Sequence, residues 1–351
     1  MGRTIDTQNS LLTQDKIKAA AVDGILSGNL IADFFLSNGK PWGNGSSYKV
    51  DVQTSKPSNM GSYTGMGTFD TDYESNLIQL SFTPASMYAS ATVPYFELAI
   101  NKSNPVINLE ALQMDKAKNA MIDLIGDKMY GSGAGSDPDG LANIIDDGSV
   151  ASTYGGQSRE TYSTALNSNV STAVGSIGID TFLASIDAAT FGTKRPNLII
   201  TTQTLYRALE DLFFSSAMAT YGIDGAKRSM INRLGEISPG AMLEGRAGYG
   251  AIYVRGIPIV ADQKCTSGYI YYINKNELFW TGLPHAKHGM VNLGTSTIEG
   301  VGNPVPSNHG IAWTGWKEPI NSDGETGQFL LSGQMITNAP KFHAVDQGCT
   351  A

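Results

Sequence analysis

Two stretches of alternating residues, joined by a long polar connection, constrain the fold of this chain more than any other feature. Apolar and polar residues alternate in residues 48–53 and again in residues 78–83, which predicts two half-buried strands. Residues 55–73 between them are rich in Gly, Ser and Thr, and so long a connection inside a compact domain is usually functional or mobile. Because an isolated two-stranded hairpin is marginal in water, we expect this one to lean on a surface outside its own domain.

The N-terminal residues 1–45 have the composition of an arm without a core. The first ten residues are mainly polar, and a weak amphipathic helix is predicted over residues 14–27. An apolar patch follows at Phe34, Phe35 and Leu36. Such a segment cannot bury enough of its own apolar surface to offset the entropy of ordering it. We therefore expect the arm to lie on the surface of a neighbouring molecule.

The clearest predicted helix covers about 25 residues that end near Met129. Asn104 is a suitable N-cap, and Gly131 is expected to stop the helix in the left-handed conformation. One apolar stripe with an acidic opposite face is typical of a long helix lying along a sheet. Its members are Ile107, Ala111, Met114, Met121, Ile125 and Met129.

The rest of the chain is predicted to be mixed helix and strand. Residues 140–146 are interpreted as a short strand, and Thr202 as the cap of a helix. Helices are predicted at 181–190 and 202–214, and strands at 197–201, 251–262, 269–273, 278–280 and 328–337.

Charge and cysteine content limit the classes of function. The formal net charge is −8, and the only adjacent basic pairs are Lys194 with Arg195 and Lys227 with Arg228. Direct recognition of DNA or RNA is therefore not expected, although an acidic wall is compatible with enclosing DNA. No apolar run approaches the ~20 residues of a membrane helix, and no signal peptide is recognised.

The two cysteines, Cys265 and Cys349, are too few for a disulfide framework. We favour two free thiols, as expected of a protein made in a reducing cytoplasm. A disulfide between the two cysteines remains the alternative.

Three groups of residues could be taken for metal or phosphate sites, but turns and surface loops are the favoured interpretations. The glycine-rich residues 131–135 follow a helix and lack the Gly-Lys-Ser/Thr of a phosphate loop. His285 and His288 have no accompanying zinc motif. Four aspartates lack the spacing of a calcium-binding loop and are typical of turns. They are Asp137, Asp139, Asp146 and Asp147.

One group of aromatic residues has two interpretations. Trp313 and Trp316, with Tyr271 and Tyr272, could form a sugar-stacking surface, but buried or interface anchors are favoured. No motif specifies a reaction, so we predict no enzyme activity, no cofactor and no metal.

The order of four motifs carries a family resemblance. DKMYGSGAGSDPDGLANI (127–144) is followed by YGGQSRETYSTAL (154–166), then by RPNLIITTQTLYRALEDLF (195–213) and then by VRGIPIVADQKCTSGYIYYINKNELFW (254–280). With the arm, hairpin and long helix before them, they resemble the major capsid proteins of tailed bacteriophages with the HK97 fold, an α+β fold. The resemblance extends over about residues 15–340.

The resemblance implies a division of the chain and a set of assembly residues. The implied parts are an N-terminal arm (1–45), an extended E-loop hairpin (46–90), a P-domain with a spine helix (91–145), an A-domain (146–315) and a return strand with the C-terminal tail (316–351). The implied interface residues are Phe34, Phe35, Leu36, Lys56, Met60, Tyr63, Arg228 and Arg233, and the implied structural residues are Asn104, Gly131 and Gly140.

The implied function is self-assembly into pentamers and hexamers of an icosahedral virion shell around double-stranded DNA. The protein would be made in the cytoplasm of a bacterial host. Its other partners would be a portal and a decoration protein. Because no long scaffolding segment precedes the arm, either a separate scaffolding protein would assist assembly or none would be needed. The alternatives are an encapsulin shell around an enzyme cargo and, in another class, a secreted carbohydrate-binding or hydrolytic surface protein.

Overall fold

The structure is a computed structural model that describes residues 39–43, 45–102, 108–221, 252–283 and 311–351. Its helices are α1 (Tyr95–Lys102), α2 (Leu109–Met129), α3 (Leu141–Ile144), α4 (Ser163–Leu166), α5 (Ile179–Ala188) and α6 (Gln203–Tyr221). Its strands are β1 (Lys40–Pro41), β2 (Tyr48–Gln53), β3 (Leu77–Phe82), β4 (Ala85–Pro94), β5 (Thr153–Tyr154), β6 (Gln157–Ser158), β7 (Asn169–Ser171), β8 (Gly175–Ser176), β9 (Leu198–Thr201), β10 (Ile252–Val254), β11 (Ile257–Ala261), β12 (Ile270–Ile273), β13 (Leu278–Gly282), β14 (Ile311–Trp313), β15 (Gly324–Thr337), β16 (Ala344–Asp346) and β17 (Cys349–Thr350).

Most of the predicted elements are present. The half-buried strands of the hairpin are confirmed as β2 and β3, which bury Val52, Leu80 and Phe82. The cap at Thr202 is also confirmed, since its Oγ1 accepts the Leu205 N–H at 3.4 Å at the start of α6. The sequence did not predict β4 or α1. The predicted E-loop segment 46–90 takes in β2, β3 and the first six residues of β4.

The predicted strand at 140–146 is wrong, because these residues form the single turn of α3. The N–H groups of Asn143 and Ile144 both donate to Gly140 O at 3.0 Å, and Ile145 N–H donates to Leu141 O at 2.9 Å. Leu141, Ile144 and Ile145 are buried. So short an apolar run fits the spacing of a helix as well as that of a strand, and periodicity alone could not separate the two.

The chain divides into two compact units. The first contains residues 1–42, 85–127 and 280–333, and the second contains residues 43–84, 128–279 and 334–351.

In the first unit, β15 is the central strand of the sheet. β4 pairs with it antiparallel over ten residue pairs, from Gly324 opposite Pro94 to Gly333 opposite Ala85. β14 pairs with residues 329–331 of the same strand, and since β4 pairs there too, β14 occupies the opposite edge. β13 also pairs with β15, and β1 runs parallel beside β13. A long strand with partners on both edges is the organising element of this unit.

Two glycines let indole rings lie against β15. A Cβ at Gly333 would stand 2.6 Å from Trp280 Cζ2 and 2.5 Å from Thr281 O, and one at Gly327 would overlap the Trp313 ring. Trp313 also contacts Phe329, with 4.4 Å between the ring centroids. Side chains at these two positions would push the rings off the strand.

The long helix α2 buries Ala117, Met121, Ile125 and Met129, which stand four residues apart. Met121, Ile125 and Met129 belong to the predicted stripe, and their burial is confirmed. Of its other members, Met114 is half-buried, Ala111 is exposed and Ile107 lies outside the described residues.

The predicted left-handed conformation at Gly131 is wrong. The glycines with positive φ in this loop are Gly133 (φ 71°) and Gly135 (φ 70°). Gly131 instead donates its N–H to Lys128 O at 3.1 Å, so the last turn tightens before the chain reverses two residues later.

The second unit is built on a six-stranded mixed sheet in the order β10-β11-β9-β12-β16-β7. Every residue of β9, β11 and β12 is buried. The core cluster includes Phe182 and Ile186 from α5, with Leu205 and Leu209 from α6. Continuous apolar strands are typical of a sheet that is covered on both faces.

Both cysteines are free and buried in the second unit. Burial raises the pKa of the Cys265 thiol, and it raises that of Cys349 to about 12. Neither thiol is activated as a nucleophile.

A fully buried arginine fastens three segments of the second unit together. Arg159 Nη1 donates to Asp146 O at 2.8 Å and also to Leu166 O, and Nη2 donates to Asn143 O at 2.6 Å. The Asp146 carboxylate accepts the N–H of Ala151 at 2.9 Å. Burial favours a higher pKa for Asp146, but hydrogen bonds from residues 148–151 outweigh it and the pKa is lowered. The pair is therefore charged and held largely by backbone groups, with Arg159 Nε 4.0 Å from Asp146 Oδ2.

His343 is a second buried polar group, held as the neutral imidazole. Its Nδ1 accepts the Asn274 N–H at 3.1 Å, so the proton is on Nε2, which lies 2.9 Å from Thr337 Oγ1. Burial lowers the pKa of His343 to about 3.

We predict that Gly140→Ala destabilises the subunit by about 1–3 kcal/mol. The added Cβ would lie 2.6 Å from Lys128 O and 2.7 Å from Gly131 N, backbone atoms that cannot rotate away. Gly43→Ala is the matched control, because nothing would lie within 4 Å of its Cβ, and it should be neutral or slightly stabilising. Urea unfolding of unassembled subunits measures both, and equal effects would contradict the steric argument.

We also predict that the free energy of unfolding falls as the pH drops from about 6.5 towards 3. The folded-state pKa of His343 is lowered, so the unfolded chain takes up a proton that the folded chain excludes. This stabilising contribution is present above pH ~6.5 and is lost on acidification, by up to about 1.4 kcal/mol per pH unit. His343→Asn keeps an acceptor near Nδ1 but does not titrate, so its profile should be shallower. Parallel profiles for the two proteins would refute the assignment.

Candidate interaction surface

The base of the β2–β3 hairpin is fixed within its own unit. Ser81 N–H donates to Gly155 O at 2.9 Å, and the Phe82 ring meets the Tyr154 ring edge-on at 5.1 Å. Gly155 has φ 55°, and a Cβ there would lie 2.7 Å from Leu80 Cβ. The turn between β5 and β6 therefore supports the hairpin base. At its base the hairpin thus leans on residues outside its own segment 46–90, and for its far end the expectation of an outside surface stays a prediction.

The far end, residues 54–76, is called the hairpin tip below. Its two sides are joined by side-chain hydrogen bonds rather than by a strand ladder. Ser58 N–H donates to Glu74 Oε2 at 2.8 Å, and Asn59 Nδ2 donates to Asp72 O at 3.1 Å. Hydrogen bonds from the Ser58 side chain and backbone lower the pKa of the exposed Glu74. Solvated polar contacts of this kind hold the tip narrow without burying it.

The hairpin tip, together with the first residue of β3, presents a group of exposed apolar side chains. Tyr63 and Phe69 meet edge-on with 4.8 Å between their ring centroids, but both rings remain largely in solvent. The exposed fractions are 71% for Met60, 63% for Tyr63, 106% for Met66, 64% for Phe69, 93% for Tyr73 and 68% for Leu77. Single exposed apolar residues are ordinary, but such a concentration on one projecting loop is typical of a binding surface.

Three of the residues predicted for assembly lie on this tip, namely Lys56, Met60 and Tyr63, and all three are exposed. The other residues predicted for a role in assembly or as a helix cap fall outside the described residues, namely Phe34, Phe35, Leu36, Arg228, Arg233 and Asn104.

Sequence reasoning missed four apolar residues of this surface, namely Met66, Phe69, Tyr73 and Leu77. The signal was available, because apolar side chains without any regular period stood inside a Gly- and Ser-rich loop. Such residues have no core face to occupy and are free to contact a partner.

The alternative sites considered from the sequence are weakened by the packing. Tyr271 and Tyr272 are buried, and the Tyr272 hydroxyl donates to Asp346 Oδ2 at 2.7 Å, so neither ring can stack on a sugar. Asp139 is engaged by Gln334 and Asn143. Among the described residues, no three His, Cys, Asp or Glu side chains are grouped to hold a metal ion. His285 and His288 lie outside these residues.

None of the helices in the described part of the chain is both long enough and apolar enough to cross a bilayer.

Comparisons with known proteins give a structural likeness but no likeness in sequence. No protein-family model matches the chain, and no curated protein matches it. Among solved structures, the capsid asymmetric unit of cyanophage A-1(L) matches with a TM-score of 0.68 at 13% identity, covering 99% of this chain and 100% of that one. The SrpI encapsulin of Synechococcus elongatus PCC 7942 matches with 0.57 at 11% identity, covering 99% and 96%. The capsid of Myoviridae phage XM1 matches with 0.54 at 9% identity, covering 99% and 100%.

These likenesses extend over nearly the whole chain and define its fold class. The chain has the α+β fold of tailed-phage capsid proteins, the HK97 fold. At identities this low the likeness carries the fold, and the function has to be argued from the surface of this chain.

We predict that residues 55–73 exchange their amide hydrogens fast in the unassembled subunit and slowly once subunits associate. The tip has few backbone hydrogen bonds of its own, and a neighbour's surface would exclude water from it. β2 and β3 provide the internal control, because their ladder of six residue pairs should protect them in both states. Hydrogen–deuterium exchange read by mass spectrometry measures this, and equal exchange of the tip in both states would contradict it.

Proposed function

We propose that this chain is a shell-forming subunit, the major capsid protein of a tailed bacteriophage. It assembles into pentamers and hexamers of an icosahedral shell that encloses double-stranded DNA. The observation that carries the proposal is the exposed apolar hairpin tip on a chain with a capsid-protein fold. An apolar loop that projects into solvent has a physical use only when another surface covers it.

The energetics of such a shell rest on many modest contacts. Each exposed apolar side chain of the tip would contribute roughly 1.5–3 kcal/mol if a neighbour buried it fully. Each subunit meets several neighbours at once, so a subunit leaves only when all its contacts fail together. Contacts of the head-to-tail kind close into rings, which suits pentamers and hexamers.

The division into arm, E-loop, P-domain and A-domain is part of this proposal. The first unit holds most of the spine helix α2 and the β4–β15 pairing, which supports its assignment as the P-domain. The second unit holds the six-stranded sheet, which supports its assignment as the A-domain. The hairpin 46–90 would be the E-loop, with its tip near residues 56–67. The arm 1–45 and its patch at residues 34–36 would lie on a neighbouring subunit.

The partners and location follow from the same proposal. The protein would reside in the virion capsid after synthesis in the cytoplasm of its bacterial host. It would meet a portal at one vertex and, outside or inside the shell, a decoration or scaffolding protein. The formal net charge of −8 suits a wall that keeps densely packed DNA from adhering to it.

An encapsulin shell is the second candidate, because the SrpI encapsulin shares the fold. The capsid of cyanophage A-1(L) has the higher TM-score, 0.68 against 0.57, so we favour a capsid. The material inside particles isolated from the native source separates the two, since a capsid would hold DNA and an encapsulin would hold a protein cargo.

The proposal predicts that the purified full chain forms large closed particles, which sedimentation and negative-stain microscopy would detect. Met66→Ser with Tyr73→Ser should sharply reduce the yield of closed particles. Both side chains are almost wholly exposed, so subunit stability should change by less than about 0.5 kcal/mol per site.

Val150→Ser with Ile320→Ser is the matched control, because it removes two other exposed apolar side chains. It should leave the particle yield near that of the unaltered chain. An equal loss of particles in both variants would remove the special role of the tip. A chain that stays small at every concentration and salt would overturn the shell function itself.

A further inference from the structure

A second surface feature lies in the second unit, away from the contacts that carry the shell proposal. Cationic and aromatic side chains from two distant stretches of sequence meet there. We call it the cationic patch. Its contacts are made by Phe191, Lys194, Lys341 and Phe342. Arg195 follows Lys194 in the chain and Lys275 lies in the adjoining turn, and both are counted with it.

The first half of the patch is a tight two-residue turn. Phe191 N–H donates to Lys194 O at 2.8 Å, and Lys194 N–H donates to Phe191 O at 3.1 Å. Gly192, at φ 62°, supplies the left-handed conformation that such a turn requires. Residues paired in this way project to the same side, so the phenyl ring and the ammonium stem are held side by side.

The second half comes from residues near the C-terminus. Lys341 Nζ stands 4.1 Å from the centroid of the Phe191 ring, and the Phe191 and Phe342 rings are 6.3 Å apart. Lys194 Nζ in turn stands 5.9 Å from the Phe342 ring. Two ammonium groups are thus held against two rings by cation–π contacts. Phe191 still exposes 56% of its surface, so the patch faces solvent.

The charge of the patch is strongly unbalanced. Lys194 pairs with Glu277, whose side chain is only 12% exposed. Among the described residues, no carboxylate pairs with Arg195, Lys275 or Lys341. Lys275 belongs to the adjoining turn, where its N–H donates to Asn197 Oδ1 at 2.8 Å. Of these four cations, only Lys194 therefore has a carboxylate partner among the described residues, in a chain whose net charge is −8.

Local charge decides what such a patch attracts. At an ionic strength of 0.1 M the screening length is about 10 Å, so the acidic residues farther away hardly weaken the field at the patch. Cations that the fold leaves without carboxylate partners favour an external polyanion. Duplex DNA carries one negative charge per about 1.7 Å of its axis, so one short segment can meet several of these cations at once.

We propose that the cationic patch binds the phosphodiester backbone of double-stranded DNA, without sequence preference. The inference rests on the proposed function, since a capsid is what brings DNA to this chain. The patch gives the packaged polymer a defined point of contact on a wall that otherwise repels it.

The test uses the full chain as unassembled subunits and a fluorescently labelled duplex of about 20 base pairs, with anisotropy measured over a range of salt concentrations. The triple variant Lys194→Gln, Arg195→Gln, Lys341→Gln should weaken binding about tenfold at low salt. It should also reduce the slope of log K against log[salt] by about 2.7, because each lost phosphate contact removes about 0.9. The control triple Lys49→Gln, Lys116→Gln, Lys317→Gln removes the same charge from other exposed sites and should change the slope little.

The single variant Lys341→Gln guards against a folding defect in the triple, because Lys341 has no carboxylate partner among the described residues. It should reduce the slope by about 0.9. Equal losses in the patch and control triples would overturn the proposal. So would a patch triple that binds DNA normally but lowers particle yield, since the patch would then be a protein interface. Failure of the shell function is a separate result, because it appears as the absence of particles from the unaltered chain.

Discussion

Backbone pairing along β15 is the interaction on which most of the described structure depends. Its residues 324–333 pair with β4 along one edge, and its residues 329–331 pair with β14 along the other. Its last four residues belong to the second unit. There, Gln334 Nε2 donates to Asp139 Oδ2 at 2.6 Å, and Thr337 N–H donates to the Tyr154 hydroxyl at 2.9 Å. A backbone ladder needs no particular side chain, so the surface residues around it are free to vary. This agrees with a fold shared at 13% identity.

The hairpin shows how one element divides between stability and interaction. Its base is fixed by Gly155, Tyr154 and Gln157, where backbone and ring contacts leave little freedom. Its tip is joined mainly by solvent-exposed hydrogen bonds, and Met66 and Tyr73 are exposed to solvent there. A fixed base with an exposed apolar end is an arrangement suited to binding another molecule. The cost of ordering the tip would then fall on the association step rather than on folding.

The electrostatics divide in a similar way. The chain as a whole is acidic, yet the buried charges of Asp146 and Arg159 are hydrogen-bonded to backbone groups inside the second unit. On its surface, Lys194 and Lys341 lie against the rings of Phe191 and Phe342. The net negative charge therefore makes most of the surface repel polyanions, while the local arrangement of cations lets one patch attract them.

The sequence by itself determined the elements whose pattern is local. The period of two predicted β2 and β3, the single apolar stripe predicted α2, and Thr202 marked the start of α6. It failed at α3, where four residues fit either period, and at Gly131, where the reversal falls two residues later. Only the tertiary structure decided which side chains meet across long separations. Lys341 reaches Phe191, and Tyr154 supports the hairpin base beside Phe82. Periodicity and capping depend on neighbours within a few residues, whereas these contacts exist only after distant strands have paired.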